Sequence, residues 1–245
     1  MSAQEAAEAD DLTAQAAAPN RNITVPLYFH IIAASDSAAD GYVPQSLVNA
    51  QLKAMSDAYN PQGVFFDYKG AEWTINTTWA AGEDEHGMGV KLRKGGYNAL
   101  NMYFLASLPD NLLGYCYFPV TPKPLPGSNN FIVDGCRLVS WTMPGGSPGG
   151  PYNAGATAVH EAGHWFGLMH PFEGASCTGR NDYVKDTPIQ STPSFGCPVN
   201  KDSCPGKIGV DNIRNFMDYS DDTCYTGFTK GQRKRLRKIW KAFRK

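Results

Sequence analysis

Residues 160–170 have the sequence HEAGHWFGLMH, and the spacing of the three histidines in this stretch decides how the rest of the chain is interpreted. Positions i and i+4 of an α-helix share a face, so His160 and His164 present two imidazoles to one point. Gly167 permits a sharp turn after the helix, which brings His170 back as a third imidazole. Three imidazole ligands leave one open position on a zinc ion, which is typical of catalytic rather than structural sites.

Glu161 directly follows the first histidine and is predicted to be a general base. A carboxylate at this position faces the place where a metal-activated water would sit. The alternative is an amphipathic helix with incidental surface histidines. Because three of the five histidines fall within one window of eleven residues, the metal site is the better interpretation. The other two, His30 and His86, are interpreted as an ordinary strand residue and an ordinary loop residue.

The extended motif H-E-x-x-H-x-x-G-x-x-H resembles the metzincin clan of zinc peptidases. Residues 215–219, Asn-Phe-Met-Asp-Tyr, resemble the Met-turn of that clan. With the cysteine-rich segment before it, this turn resembles the pappalysin family, which includes ulilysin-like and fungal extracellular metalloproteases. The resemblance covers residues 23–240 loosely and 153–232 closely. It implies a secreted zinc endopeptidase that acts on protein or peptide substrates, and an intact Glu161 disfavours a catalytically inactive zinc-binding scaffold.

The resemblance also implies the fold class and the domains. The expected fold is an α+β metzincin, with a mixed twisted sheet and the active-site helix in an upper subdomain, residues 21–167. The lower subdomain, residues 168–245, is expected to be irregular, stapled by disulfides and ended by a helix. Residues 1–20, rich in Ala, Glu and Asp, are predicted to be a disordered tail or a propeptide remnant.

Several further residues receive roles from the same resemblance. Met217 would form an apolar floor under the metal ligands, and Tyr219 would hydrogen-bond the oxyanion near the metal. Asp182, Asp186 and Thr187 resemble a calcium site, for which hard oxygen ligands on an irregular loop are suitable. The structural alternatives are a core methionine, a packed loop tyrosine and a solvated acidic loop.

The chain has six cysteines, and none lies in a C-x-x-C pair. This disfavours thiolate zinc clusters and thioredoxin-like chemistry and favours disulfides in an oxidising compartment. The family resemblance implies the pairs Cys177–Cys204 and Cys197–Cys224, which leaves Cys116–Cys136 as the third pair.

We therefore predict secretion, although the residues after Met1 do not resemble a signal peptide. The glycosylation sequons Asn22-Ile23-Thr24 and Asn76-Thr77-Thr78 are compatible with this prediction.

Composition is ordinary for a globular protein, with 42% apolar and 18% charged residues and a net charge of -1. No apolar stretch approaches the roughly 20 residues that cross a bilayer. We predict a monomer without a nucleic-acid partner. The balanced charge hides nine lysines and arginines, and no acid, within residues 230–245.

Four apolar residues interrupt this basic segment at helical spacing: Leu236, Ile239, Trp240 and Phe243. They form either an interfacial face that binds membranes or anionic partners, or a face that packs on the catalytic domain.

Local patterns predict the remaining elements. Strands are predicted at 23–33, 64–68, 101–105 and 131–141, with an edge strand at 114–118. Helices are predicted at 44–59 and 153–166, and a third begins at Thr229, where Thr-x-x-Gln fits a capping box.

Overall fold

The computed structural model describes residues 22–245, so the predicted tail at 1–20 lies outside the described residues. One mixed sheet has the strand order β2-β1-β3-β5-β4. The strands are β1 Ile23–Ala33, β2 Val64–Ile75, β3 Leu100–Leu105, β4 Gly114–Cys116 and β5 Cys136–Val139. The helices are α1 Gln45–Tyr59, α2 Thr77–Ala80, α3 Glu85–Leu92, α4 Asn129–Ile132, α5 Ala156–Trp165 and α6 Lys230–Ile239, with short 3-10 turns between some of them.

The two faces of the sheet are covered by different helices. Strands β1, β2, β3 and β5 are parallel, and β4 lies antiparallel to β5 at the edge. The alternate β1 residues Leu27, Phe29 and Ile31 belong to the main core with residues of α1 and α5. A smaller cluster on the other side joins Ile32 to α2 and α3 residues. Parallel strands covered on both faces account for the nearly continuous apolar sequence of β3.

Most predicted elements are confirmed, including β1, the edge strand, both long helices and the capping box at Thr229. The prediction that β2 ends before Gly70 is wrong. Gly70 has a φ of +114° and lies in a bulge, where the β1–β2 register shifts between Leu27 and Phe29. Because glycine adopts this conformation without strain, the strand continues to Ile75.

The predicted strand at 131–141 is also wrong. Asn129–Ile132 is a helical turn, and only Cys136–Val139 is a strand. The Phe131 ring lies against the Arg93 guanidinium, 3.9 Å from its central carbon. A short apolar run cannot be assigned to strand or helix by periodicity alone, and here a tertiary contact stabilises the helical form.

Beyond Gly167 the described chain has no strand, and disulfides take the place of regular structure. Cys177–Cys204 and Cys197–Cys224 crosslink this irregular region, whereas Cys116–Cys136 joins β4 to β5. These are the pairs that the family resemblance implies. Such crosslinks compensate for the few backbone hydrogen bonds that irregular segments make.

The apolar face of the C-terminal helix packs on the rest of the domain. Leu236 and Ile239 are fully buried, and Trp240 contacts the rings of Trp165 and Phe166. Three of the four apolar residues on which the membrane-binding hypothesis depends are therefore covered, and the fourth, Phe243, is partly exposed. In residues 22–245 we find no helix with the length and apolar character needed to cross a membrane.

Candidate active site

Three imidazoles from α5 and the turn after it converge on one point. The Nε2 atoms of His160 and His164 are 3.1 Å apart, and the Nε2 of His170 lies 3.2 Å and 3.1 Å from them, respectively. Zn–N bonds of about 2.0–2.1 Å in a tetrahedral site place ligand nitrogens about 3.3–3.4 Å apart. The observed triangle therefore fits a zinc ion closely. It is the only cluster of this kind among the described residues.

Hydrogen bonds to the opposite ring nitrogens fix the tautomers. His160 Nδ1 lies 2.7 Å from the Phe216 carbonyl oxygen, and His164 Nδ1 lies 2.8 Å from that of Leu168. A carbonyl only accepts, so each Nδ1 carries the proton and each Nε2 directs a lone pair at the common point. Burial lowers the pKa of His160 to about 3 and that of His164 well below its ordinary value. Both rings are therefore neutral, as metal ligands must be.

His170 has a carboxylate neighbour in place of a carbonyl. Its Nδ1 lies 3.7 Å from Oε2 of Glu173, and its ring stacks on Phe172 with the centroids 4.8 Å apart. The predicted turn at Gly167 has a φ of +85°, and a Cβ there would lie only 2.8 Å from Ile239 Cγ2. Glycine is therefore required at this turn both by its backbone conformation and by the packing of α6.

Glu161 is buried beside the edge strand. A Cβ at Gly114 would lie 3.0 Å from Glu161 Cγ, so the strand passes close to the carboxylate. Burial raises the pKa of the Glu161 carboxyl to about 8, and a hydrogen bond from the Cys116 backbone N–H opposes this shift. Its Oε2 is buried without a hydrogen-bond partner among the described atoms. A buried acceptor of this kind is costly unless a ligand or water satisfies it.

Tyr219 lies at the rim of the histidine cluster. Its hydroxyl is 3.2 Å from His170 Nε2, and the side chain is partly exposed. Burial raises the pKa of this phenol to about 12, with the nearby acids Glu161, Glu173 and Asp218 adding to the shift. The hydroxyl therefore stays protonated at neutral pH and is able to donate a hydrogen bond.

Comparisons with known proteins agree with this geometry. A family model described as Peptidase_M43, pregnancy-associated plasma protein-A, matches residues 150–241. Extracellular metalloprotease 1 of Coccidioides posadasii is 51% identical over 222 residues, which cover 91% of this chain and 78% of the relative. An extracellular metalloprotease of Colletotrichum graminicola is 48% identical and covers 97% of this chain and 83% of its own length. This chain belongs to the pappalysin family.

A solved structure extends the likeness to the fold. Mature mirolysin of Tannerella forsythia, in complex with a cleaved peptide, superposes with a TM-score of 0.73 at 26% identity, covering 89% of this chain and 92% of mirolysin. The chain is therefore a metalloendopeptidase with the pappalysin architecture, as the sequence motifs imply.

Residues 215–219, which the family resemblance predicts to be the Met-turn, lie directly beneath α5. Met217 is fully buried, and a Cβ at Gly163 would collide with its Sδ and lie 3.1 Å from its Cε. Gly163 directly precedes His164, and no sequence pattern marks it as important. Its lack of a side chain lets the methionine pack against the helix backbone below the histidines.

Two long-range contacts that sequence reasoning missed join residues 215–222 to α5 and α6. Asp222 Oδ2 accepts hydrogen bonds from the N–H groups of Ala154 at 2.7 Å and Ala156 at 3.2 Å, and so caps α5 from outside the helix. Asn215 and Gln232 exchange two side-chain amide hydrogen bonds, of 2.8 Å and 3.0 Å, between the Met-turn and α6. No short motif marks either pair, because the partners are distant in sequence.

The three residues predicted to bind calcium have different environments. Asp182 and Thr187 are buried neighbours. Burial raises the pKa of Asp182 to about 7, and hydrogen bonds from the Val184 N–H and the Thr187 side chain, together with the charge of Arg235, oppose this shift. The exposed Asp186 accepts hydrogen bonds from Thr229 Oγ1 at 2.8 Å and from the Gly231 N–H at 2.9 Å. Asp186 therefore stabilises the N-terminus of α6, where a negative charge is favourable.

Proposed function

We propose that this pappalysin is a secreted enzyme that hydrolyses peptide bonds with one zinc ion held by His160, His164 and His170. The observation that carries the proposal is the triangle of Nε2 atoms, 3.1–3.2 Å on each side. Backbone carbonyls set the tautomers of two of these rings, His160 and His164. Three converging lone pairs repel each other unless a cation lies between them. Three ligands also leave a position open for reaction.

The chain's own residues supply the proton transfers. Zinc, when bound, supplies Lewis acidity that acidifies water and polarises the scissile carbonyl. Glu161 accepts the proton of the attacking water and delivers it to the leaving amine. Tyr219 donates a hydrogen bond to the carbonyl oxygen as negative charge develops there.

We further propose that substrate lies in a cleft between residues 21–167 and 168–245. The strand β4 forms the lip of this cleft, at the sheet edge beside Glu161. Its unpaired edge offers backbone groups to an extended peptide. Because this edge can pair with an extended polypeptide, we assign proteins and peptides as the substrates.

Secretion is supported by the three disulfides and by the names of the extracellular relatives. In that compartment the sequons at Asn22 and Asn76 are candidate glycan sites. Asn22 is exposed, and Asn76 is partly exposed with its Oδ1 accepting the Trp79 N–H.

Removal of the metal is expected to abolish cleavage of casein, and added zinc is expected to restore it. His164→Ala should lose both the bound zinc and the activity, because two imidazoles hold the ion far more weakly than three. Elemental analysis and a casein assay measure the two quantities. Casein cleavage that survives a strong chelator would contradict the proposal. One tightly bound zinc without any cleavage would instead indicate the inactive scaffold.

We propose, in addition, a structural calcium ion near Asp182 and Thr187. Two buried oxygen donors, Asp182 Oδ2 and Thr187 Oγ1, support it, since a hard cation binds oxygen ligands of this kind. Millimolar calcium is expected to raise the thermal unfolding temperature of the zinc-loaded enzyme, and Asp182→Asn should abolish the increase. Differential scanning calorimetry measures it, with magnesium as the control ion. An equal increase in the Asp182→Asn variant would exclude this site.

A further inference from the structure

Three aromatic side chains form a continuous row beside the metal site, which we call the aromatic ridge: Phe172, Tyr219 and Phe195. Phe172 stacks on the His170 ring, and the Phe172 and Tyr219 rings lie 5.0 Å apart at an interplanar angle of 69°. The Phe195 ring follows at 6.3 Å from Tyr219. These separations are those of ordinary aromatic pairs.

The outer end of the ridge is open to solvent. Phe195 is 64% exposed and Tyr219 is 37% exposed. A large apolar side chain that stays exposed contributes no burial free energy to folding. An exposed apolar row beside a reactive site is typical of ligand recognition.

The backbone around Phe195 is held rigidly although its ring is exposed. The N–H of the fully buried Ser194 donates to Asp218 Oδ1 at 2.9 Å, and Gly196 O accepts the Asp221 N–H at 3.1 Å. The next residue, Cys197, is crosslinked to Cys224. The ring is therefore presented from a fixed position, close to the Met-turn, rather than from a loose loop.

We infer that Phe195, at the end of the aromatic ridge, forms a subsite that binds an apolar side chain of the substrate within about three residues of the cleaved bond. The inference rests on the proposed function, since it takes the histidine cluster as the reacting centre. The Tyr219 ring lies 4.9 Å from the His170 ring, and Phe195 lies one ring further out. An extended peptide advances about 3.3 Å per residue, so a chain at the metal reaches Phe195 within that span.

The chemistry of the subsite follows from its atoms. The Phe195 ring offers apolar carbon, and an aliphatic or aromatic side chain gains free energy by covering it. We expect such an apolar subsite to discriminate by about 10-fold between large and small apolar side chains. Glycine and serine at the same substrate position are expected to gain nothing from it.

The test compares cleavage of a mixed peptide library by the zinc-loaded wild type and by Phe195→Ala, with products read by mass spectrometry. The wild type should favour leucine or phenylalanine at one position within three residues of the cleaved bond. Phe195→Ala should lose that preference, with kcat/KM about 10-fold lower for the apolar peptides and unchanged for those with serine at that position. Phe195→Trp should keep it.

Val199→Ala is the matched control, because Val199 lies in the same loop region and is 87% exposed. It should leave the profile unchanged. An unchanged profile in Phe195→Ala, or an equal loss on every peptide, would overturn the inference. Failure of the proposed function has a different signature, namely a wild type that cleaves none of the library.

Discussion

Glu161→Gln is expected to lower turnover by at least about 10²-fold while the enzyme keeps its zinc and its fold. Glutamine matches glutamate in size and preserves the packing against Gly114, but its amide cannot accept the proton of an attacking water. The three imidazoles that hold the ion are unchanged. The measurements are kcat on a fluorogenic peptide, zinc content by elemental analysis and the far-ultraviolet circular dichroism spectrum.

The matched control is Glu83→Gln, which makes the same charge change at an exposed residue. It should keep wild-type kcat. If the variant loses zinc together with activity, Glu161 is needed for metal binding rather than for proton transfer. Undiminished activity in Glu161→Gln would remove it from the mechanism altogether.

The metal site could be predicted from sequence because its geometry is mostly local. His160, Glu161 and His164 lie within five consecutive residues of one helix, and the helical repeat alone sets their relative positions. The turn at Gly167 then places His170. The capping box at Thr229 was found for the same reason, since both its partners lie within one helical turn.

The residues that support the site could not be predicted in this way. The Phe216 carbonyl that orients His160 is 56 positions away, and Asp222 is 66 positions from the Ala156 N–H that it accepts. Any buried acid or carbonyl could have served, so only the folded chain identifies the partners. Gly163 could not be identified from the sequence, because a glycine inside a helix belongs to no short motif. Glycine is needed there because Met217 packs against the helix backbone at that position.

Asp134→Asn is expected to lower the free energy of unfolding by about 3–5 kcal/mol. Asp134 Oδ1 pairs with Arg244 at 2.7 Å and Oδ2 pairs with Arg93 at 3.2 Å, and all three side chains are at most 3% exposed. The neutral amide would leave two buried guanidinium groups without a counter-charge. Urea unfolding of the oxidised, zinc-loaded enzyme, followed by circular dichroism, measures the change.

The control is Asp57→Asn, which breaks an exposed pair with Lys53 and should change the free energy of unfolding by less than about 1 kcal/mol. The contrast follows from burial, because water screens the exposed pair and is absent from the buried one.

Arg244 also donates to the Trp165 carbonyl at 3.2 Å, at the end of the helix that carries His164. Asp134→Asn should therefore weaken the attachment of the C-terminal segment to α5, and the variant should lose activity at a lower temperature than Asp57→Asn. Equal stability of the two variants would show that the buried cluster does not anchor the C-terminus.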